Sequence, residues 1–450
     1  MNNFDTPITE SDFTGRYLVL LDENRQGDGI AQLQSLTDSS SIATAMQEPD
    51  LMNEADIVMF DTLGVAILNH PVNVQQLQEI NVASSDSTSA ILAIEPEQYF
   101  YALADTEATR FEQKAAVKLS SGISLEYLRG YRDGVANLVD QAVLQDSDES
   151  EVNVLAHYDE SHITWGLQVT NVALSRYSGK GIKVAVLDTG FDFNHPDFKG
   201  RKIVSQSFVT KKDSTGKYIP VPVQDGNGHG THCIGTACGP RQPSKAPRYG
   251  IAHEAEIYVG KVLSDAGSGL SGEIVRGIEW AVNSGCHIIS MSLGGAKSPG
   301  TPYSTIYETV AQRALKAGSL IIAASGNNRQ RKDGKTVISS PADCPSVMAV
   351  AALDGNLQVA SFSSPGDGQV GGEIDIAAPG VGIHSSHPSG TYRRLQGTSM
   401  ATPHVAGIAA LYAEANPTMR GRALWNLLTT NARRLPLSAV DVGIGLVQSP

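Results

Sequence analysis

The sequence predicts an α/β protein, a mostly parallel sheet flanked by helices, preceded by a small α+β unit. Three observations predict it. Residues 183–187 hold a run of β-branched and apolar residues, Val184 to Leu187, that stops on Asp188-Thr189-Gly190, as a buried parallel strand does. Residues 397–410, GTSMATPHVAGIAA, place Ser399 just ahead of Pro403 and a run of small residues. That pattern reads as the first turns of a buried helix, where proline's missing N–H has no partner to lose. The N-terminal part alternates apolar runs with an amphipathic stretch of its own, and 450 residues are long for a single core.

Taken in chain order, RYLVLL (16–21) reads as a strand followed by a helix, and ADIVMFDTLGVAIL (55–68) as two strands. VNVQQLQEI (72–80) reads as a helix and SAILAIEP (89–96) as a closing strand. Strand, helix, two strands, helix and strand is a ferredoxin-like order. Residues 124–144 carry Leu125, Leu128, Val135, Leu138, Val139 and Val143 at helical spacing. The acidic QDSDESE (145–151) then reads as an exposed linker. The expected division is 1–100 for the α+β unit, 101–155 for a helical connector and linker, and 156–450 for the α/β domain.

Three segments carry the chemistry. Asp188 falls at the carboxyl end of a strand, where open α/β sheets build their sites. His229 lies between Gly228 and Gly230 and opens a helix of small residues through Ala237. Ser399 begins the second buried helix, whose dipole favours negative charge nearby. A serine hydroxyl is a poor nucleophile until an imidazole takes its proton, and the imidazole needs a carboxylate to fix its tautomer. The chain holds eleven histidines, so only the flanking glycines and the order of the segments single out this one. His232 and His404 read as packed, hydrogen-bonded core residues and His195 as a capping residue.

VAVLDTG (184–190), GNGHGTHCIGTACG (226–239) and GTSMATPHVAG (397–407), in this order, resemble the subtilisin-like serine proteases, the subtilase family. With GIEWAVNSGCHIISMSLGG (277–295) and the closing GIGLV, the resemblance runs from residue 161 to the C-terminus. It implies Asp188 as orienting acid, His229 as general base and Ser399 as nucleophile. AASGNN (323–328) then supplies Asn327 as an oxyanion donor beside the Ser399 N–H. Gly267, Ser268, Gly269 and Leu270 on one side, and Ser292, Leu293 and Gly294 on the other, would flank an extended polypeptide substrate as added strands. Ser292 to Gly294, with Ala324, Ser325, Gly326 and the stretch around Ser339, would wall the pocket for the residue before the scissile bond. Their small, uncharged side chains imply an apolar or mixed preference.

The N-terminal unit is similar to the inhibitory, folding-assisting prodomains of that family. The resemblance therefore implies a zymogen with its own prodomain as intramolecular inhibitor. In the simplest such zymogens the last prodomain strand runs straight into the mature enzyme, whereas about 60 residues intervene here. Processing is expected between Glu97 and His162. No cofactor is required and no metal ligand is assigned. Calcium is a candidate at Asp192, Asp197 and Asp225, although GPRQPSKAPRYG (239–250) lacks the carboxylates of the family's usual calcium loop.

A net charge of −13 argues against nucleic acid or an anionic membrane as partner. No apolar run has transmembrane length, and MNNFDTPITESDF lacks the plan of a signal peptide. Four cysteines, two of them on one helix, read as free thiols and point to a cytoplasmic setting. A chain trimmed of its signal would read the same way and be secreted. Residues 209–224 read as a surface loop near the cleft. The function expected is a serine endopeptidase acting through an acyl-enzyme, made as a zymogen. The alternatives are a latent or non-catalytic binding module of the same shape, or a dedicated precursor-processing protease.

Overall fold

The computed structural model describes residues 12–44, 54–103, 158–215, 217–298, 300–328, 337–366 and 371–450. The segments 124–144 and 145–151, read above as helix and linker, lie outside the described residues.

The N-terminal unit runs β1 (Phe13–Leu21), α1 (Gln26–Thr37), β2 (Ile42–Thr44), β3 (Ile57–Phe60), β4 (Val65–Leu68), α2 (Val74–Ser84) and β5 (Ile91–Ala102). Its strands lie in the order β5-β1-β4-β3-β2, and β1, β3, β4 and β5 pair antiparallel. That is the ferredoxin-like order with one addition: the short β2 joins the edge parallel to β3. Val19, Leu21, Leu33, Ile57, Met59, Ile80 and Ile91 fill the space between this sheet and its helices. Asn73 opens α2 with a reciprocal capping box to Gln76.

β5 continues past Pro96, where the sequence reading stopped it. Proline has no N–H to give to a ladder and so reads as a strand end. Here Pro96 stands opposite Tyr17 beside an irregularity in the β1–β5 register, and the strand goes on through Tyr99, Phe100 and Tyr101.

After a short helix, α3 (Trp165–Val169), the second unit is built on β6 (Lys183–Asp188), β7 (Ile203–Ser207), β10 (Glu256–Lys261), β12 (Ile288–Met291), β14 (Leu320–Ala324), β15 (Met348–Leu353) and β16 (Ile376–Pro379), with β8, β9, β11 and β13 as short outlying strands. The seven form one parallel sheet in the order β16-β15-β14-β12-β6-β10-β7. Helices α4 (His229–Cys238), α5 (Ser271–Asn283), α6 (Thr305–Lys316) and α7 (Thr398–Ala415) pack around it, and α8 (Arg422–Thr430) and α9 (Ala439–Val442) follow. Every residue of α4 is buried, which its small side chains permit. A Cβ on Gly407 of α7 would come within 2.8 Å of the Ala237 carbonyl on α4, so glycine sets how closely these two helices approach. Residues 209–224, expected as a plain loop, contain the hairpin β8 (Thr210–Lys212) and β9 (Tyr218–Pro220).

The two units meet through polar contacts on α5 and α6, two of them at the helix starts, where unpaired N–H groups favour anions. Glu95 of β5 accepts from the Ile306 N–H of α6 at 3.2 Å and from the Ser304 hydroxyl. Glu97, fully buried, takes Arg16 at 2.6 Å and the Gly272 N–H of α5 at 3.3 Å. On the same helix Glu279 accepts the Thr62 N–H at 2.8 Å, and Arg313 of α6 donates to the Leu21 carbonyl at 2.9 Å.

Candidate active site

β6 and β10 end side by side, Asp188 opposite Lys261, and the chain turns sharply at Gly190. Gly190 has φ 109°, and a Cβ there would lie 2.1 Å from the Val223 carbonyl, so only glycine makes the turn. His229 begins α4 after Gly228, whose φ is 103°. Its Nδ1 lies 2.7 Å from Asp188 Oδ1, with both side chains buried. The same carboxylate oxygen accepts the Thr189 N–H at 2.7 Å, which fixes its direction. Thr189 Oγ1 accepts the Gly230 N–H at 2.9 Å and donates to Asp225 at 2.9 Å, so the acid turn and the histidine helix are tied together. Thr189 lies inside the first motif, and Asp225, read from sequence as a calcium candidate, stands one residue ahead of the second; neither is assigned this tie by the sequence.

Ser399 is fully buried one residue into α7. Its Oγ donates to the Ser292 carbonyl at 2.9 Å, and the Ser292 hydroxyl donates in return to the Ser399 carbonyl at 2.8 Å. His229 Nε2 has no hydrogen-bond partner. The acid–base pair is therefore closed while the serine hydroxyl is turned to Ser292, which differs from the serine–histidine contact the sequence leads one to expect. Cys233, one turn along α4, places its Sγ 3.9 Å from His229 Nδ1 and donates to the Ser399 carbonyl at 3.6 Å. Burial raises its pKa above the ordinary thiol value, so it stays a neutral thiol.

Asn327 follows β14. Its amide oxygen accepts both the N–H and the hydroxyl of Thr398, at 3.0 and 2.9 Å, which leaves the NH₂ facing the cleft. That NH₂ donates to the Leu103 carbonyl at 2.7 Å. Thr398 orients the amide and was not singled out from sequence, although it stands next to Ser399.

Leu103 is there because the second half of β5 lies in the cleft. Tyr99, Phe100 and Tyr101 pair antiparallel with Leu270, Gly269 and Ser268 of β11 (Ser268–Leu270). On the opposite side Phe100, Tyr101 and Ala102 pair with Gly295, Gly294 and Leu293 of β13 (Leu293–Gly295). The Ala102 N–H reaches the Gly267 carbonyl at 2.9 Å and the Leu103 N–H the Ser292 carbonyl at 3.2 Å. The Leu103 side chain is buried against Ala324 and Ala296, and its Cδ1 lies 2.9 Å from where a Cβ on Gly294 would stand. Ser325 is buried behind it, and the Gly326 N–H donates to Thr398 Oγ1 at 3.2 Å. Phe100 sits over Gly295 with its ring 5.5 Å from that of Tyr307. All the residues proposed from sequence to flank an extended chain thus surround one, and that chain is the protein's own.

The three histidines read from sequence as structural are hydrogen-bonded. His232 Nε2 lies 2.9 Å from the Ile383 carbonyl, His404 Nδ1 lies 2.8 Å from the Met400 carbonyl, and His195 caps the turn at Pro196–Phe198. All four cysteines are buried and free.

Calcium was tested against the donors present. A hard cation needs six to eight oxygens with free lone pairs. Asp225 accepts the N–H groups of Asn227, Gly228 and Thr231 and the hydroxyls of Thr189 and Thr231. Asp192 accepts from Asn194, Gln224 and Ser389, and Asp197 from Ser244, Tyr249 and Tyr392. All three carboxylates are thus engaged by protein N–H and O–H donors. Among the described residues one trio has metal-ligand spacing, Asp188, His229 and Cys233, and its nitrogen and sulfur do not suit calcium.

Chemically, the arrangement offers a carboxylate-oriented imidazole, a helix-start serine and an amide donor that holds one peptide carbonyl. Comparison with known proteins agrees. The profile described as the subtilase family matches residues 179–446. An alkaline protease of Alkalihalobacillus alcalophilus is 40% identical over 314 residues, covering 69% of this chain and 74% of that protein. Subtilisin Savinase of Lederbergia lenta is 41% identical over 290 residues, covering 64% of this chain and 97% of the relative. Subtilisin E of Bacillus subtilis is 39% identical over 288 residues, 63% of this chain and 70% of its own length.

A general base works as the neutral imidazole. Burial pulls the His229 pKa down, but the Asp188 carboxylate outweighs it and holds the group well above 6.5. Peptide-hydrolysis kcat/KM should therefore climb with pH along a limb centred above 6.5. Asp188→Asn should lower kcat by about 10⁴-fold. A wild-type limb centred below the ordinary histidine value would contradict the assigned pair.

Proposed function

Because the chain belongs to the subtilase family, whose members are serine endopeptidases of the subtilisin type, we propose that it is made as a zymogen held by its own N-terminal domain and released by cutting the bond after Leu103. The observation that carries this reading is the Leu103 carbonyl, 2.7 Å from the Asn327 amide nitrogen, at the end of a strand paired on both sides. Such β-augmentation is how a peptide substrate is gripped by its main chain.

In this reading Ser399 first turns from the Ser292 carbonyl to His229 Nε2, which stands without a partner. Its hydroxyl oxygen then attacks the Leu103 carbonyl carbon while His229 takes the proton and Asp188 holds the imidazolium. The oxygen that gains charge stays on Asn327 Nδ2, and the Ser399 N–H serves as its second donor. His229 returns the proton to the amine of Ala104 as the C–N bond breaks, and a water repeats the sequence on the acyl-enzyme. The product strand, with Glu95 and Glu97 still capping α6 and α5, stays as inhibitor until it is lost. The buried Leu103 and Phe100 imply a preference for a leucine-like residue before the scissile bond and an aromatic one three residues earlier. Asp188, His229, Ser399 and Asn327 are the catalytic residues of this scheme. Gly267 to Leu270, Ser292 to Gly294 and Ala324 to Gly326 form the substrate cleft.

Intact-mass analysis of the purified full chain tests this. Wild type should lose residues 1–103 and gain activity on a leucyl anilide, whereas Ser399→Ala should stay at full length. Cutting elsewhere, or cutting of the Ser399→Ala chain by itself, would refute the assignment. Because the acidic positions are occupied by protein donors, calcium is not expected to be obligatory. Chelator treatment of Ser399→Ala should leave its thermal midpoint in place, and a marked drop reversed by calcium would show a cation site.

A further inference from the structure

Lys261 is a buried lysine, 1% exposed, at the end of β10 opposite Asp188. An ammonium removed from water is tolerated only when paired, and its partners reveal what it holds. Its Nζ donates to the carbonyl of Thr189, the residue after the acid, and to Asp265 Oδ1 at 2.6 Å. Asp265 is half exposed and belongs to the loop that leads into β11. It holds the approach to His229 twice: Oδ1 accepts the Gly226 N–H at 3.1 Å, and its carbonyl accepts Asn227 Nδ2 at 3.0 Å. Asn227 Oδ1 in turn accepts the His229 N–H at 3.2 Å. Two residues beyond Asp265, the Gly267 carbonyl takes the Ala102 N–H, and Ser268 to Leu270 pair with the bound strand.

One cation thus joins the acid turn, the histidine approach and the edge that grips the bound chain. We infer that Lys261, through Asp265, is a positioning residue that fixes the β11 edge relative to the Asp188–His229 pair, and so sets how much the enzyme gains from substrate residues ahead of the scissile bond. Lys261 touches neither the bound strand nor the reacting atoms. It acts through Asp265 and Thr189. The inference rests on the reading of β5 as a stand-in for substrate.

The test compares two substrates on the enzyme activated by loss of residues 1–103. One is a Phe-Tyr-Ala-Leu anilide, which reaches Gly267 and Gly269. The other is an N-acetyl-leucine ester, which does not. Active enzyme is counted by titration, and the thermal midpoint is recorded for each variant. Losing a charge-assisted hydrogen bond should lower the ratio of kcat/KM, anilide over ester, about tenfold in Lys261→Met, mostly through the anilide KM. Asp265→Asn should do the same, and the double variant should fall no further than either single one. Equal losses on both substrates, or fully additive losses, would make Lys261 a packing residue only and overturn the inference. If Lys261→Met does not fold, the ratio for the half-exposed Asp265→Asn decides alone. A wild type that gains nothing from the longer peptide would overturn the stand-in reading, and the inference with it, whereas a wild type that gains while both variants keep its ratio would overturn the Lys261 link alone.

Discussion

Two short strand edges, Ser268–Leu270 and Leu293–Gly295, face each other across a gap one strand wide. Each presents backbone N–H and C=O groups that need a partner, and an extended chain between them satisfies both at once. The register that results is strict, because shifting by one residue would exchange every side chain between pocket and solvent. With Phe100 against Gly295 and Leu103 against Ala324, a single carbonyl is delivered to Asn327. The polar work of the site is therefore done on an atom whose position is set by backbone pairing.

The catalytic side adapts to that constraint through rigid elements. Parallel strands ending together bring Asp188, Lys261 and Ala324 to one edge of the sheet, and two buried helices of small residues deliver His229 and Ser399 at their first turns. Close approach of those helices at Gly407 leaves little freedom for either. The Ser399 hydroxyl rests on the Ser292 carbonyl that also accepts the Leu103 N–H. The same carbonyl thus serves the bound strand and the resting nucleophile.

Much of this was legible in the sequence, and the reasons differ by residue. Gly190 and Gly228 are legible because turns at positive φ admit little else, and they frame Asp188 and His229. The α/β order is legible because the interiors of most buried parallel strands are apolar. Other features were not. β5 beyond Pro96 was hidden because proline reads as a strand end and the aromatic stretch after it has no partner within its own domain. β2 is three residues long, too short to show a period. Lys261 ends a strand whose middle is uncharged, and nothing nearby in sequence shows that its partners are Thr189 and Asp265. Thr398 was within a recognised motif, but orienting an amide 71 residues away is a property of the fold.

Backbone amide exchange on the full-length Ser399→Ala chain tests the central claim most directly, since that variant cannot cut the strand. If residues 99–103 are held between the two edges, their amides and those of 268–270 and 293–295 should be protected together and share one opening free energy. Rapid exchange at 99–103 while the parallel sheet stays protected would mean that the strand does not occupy the cleft, and would contradict the account.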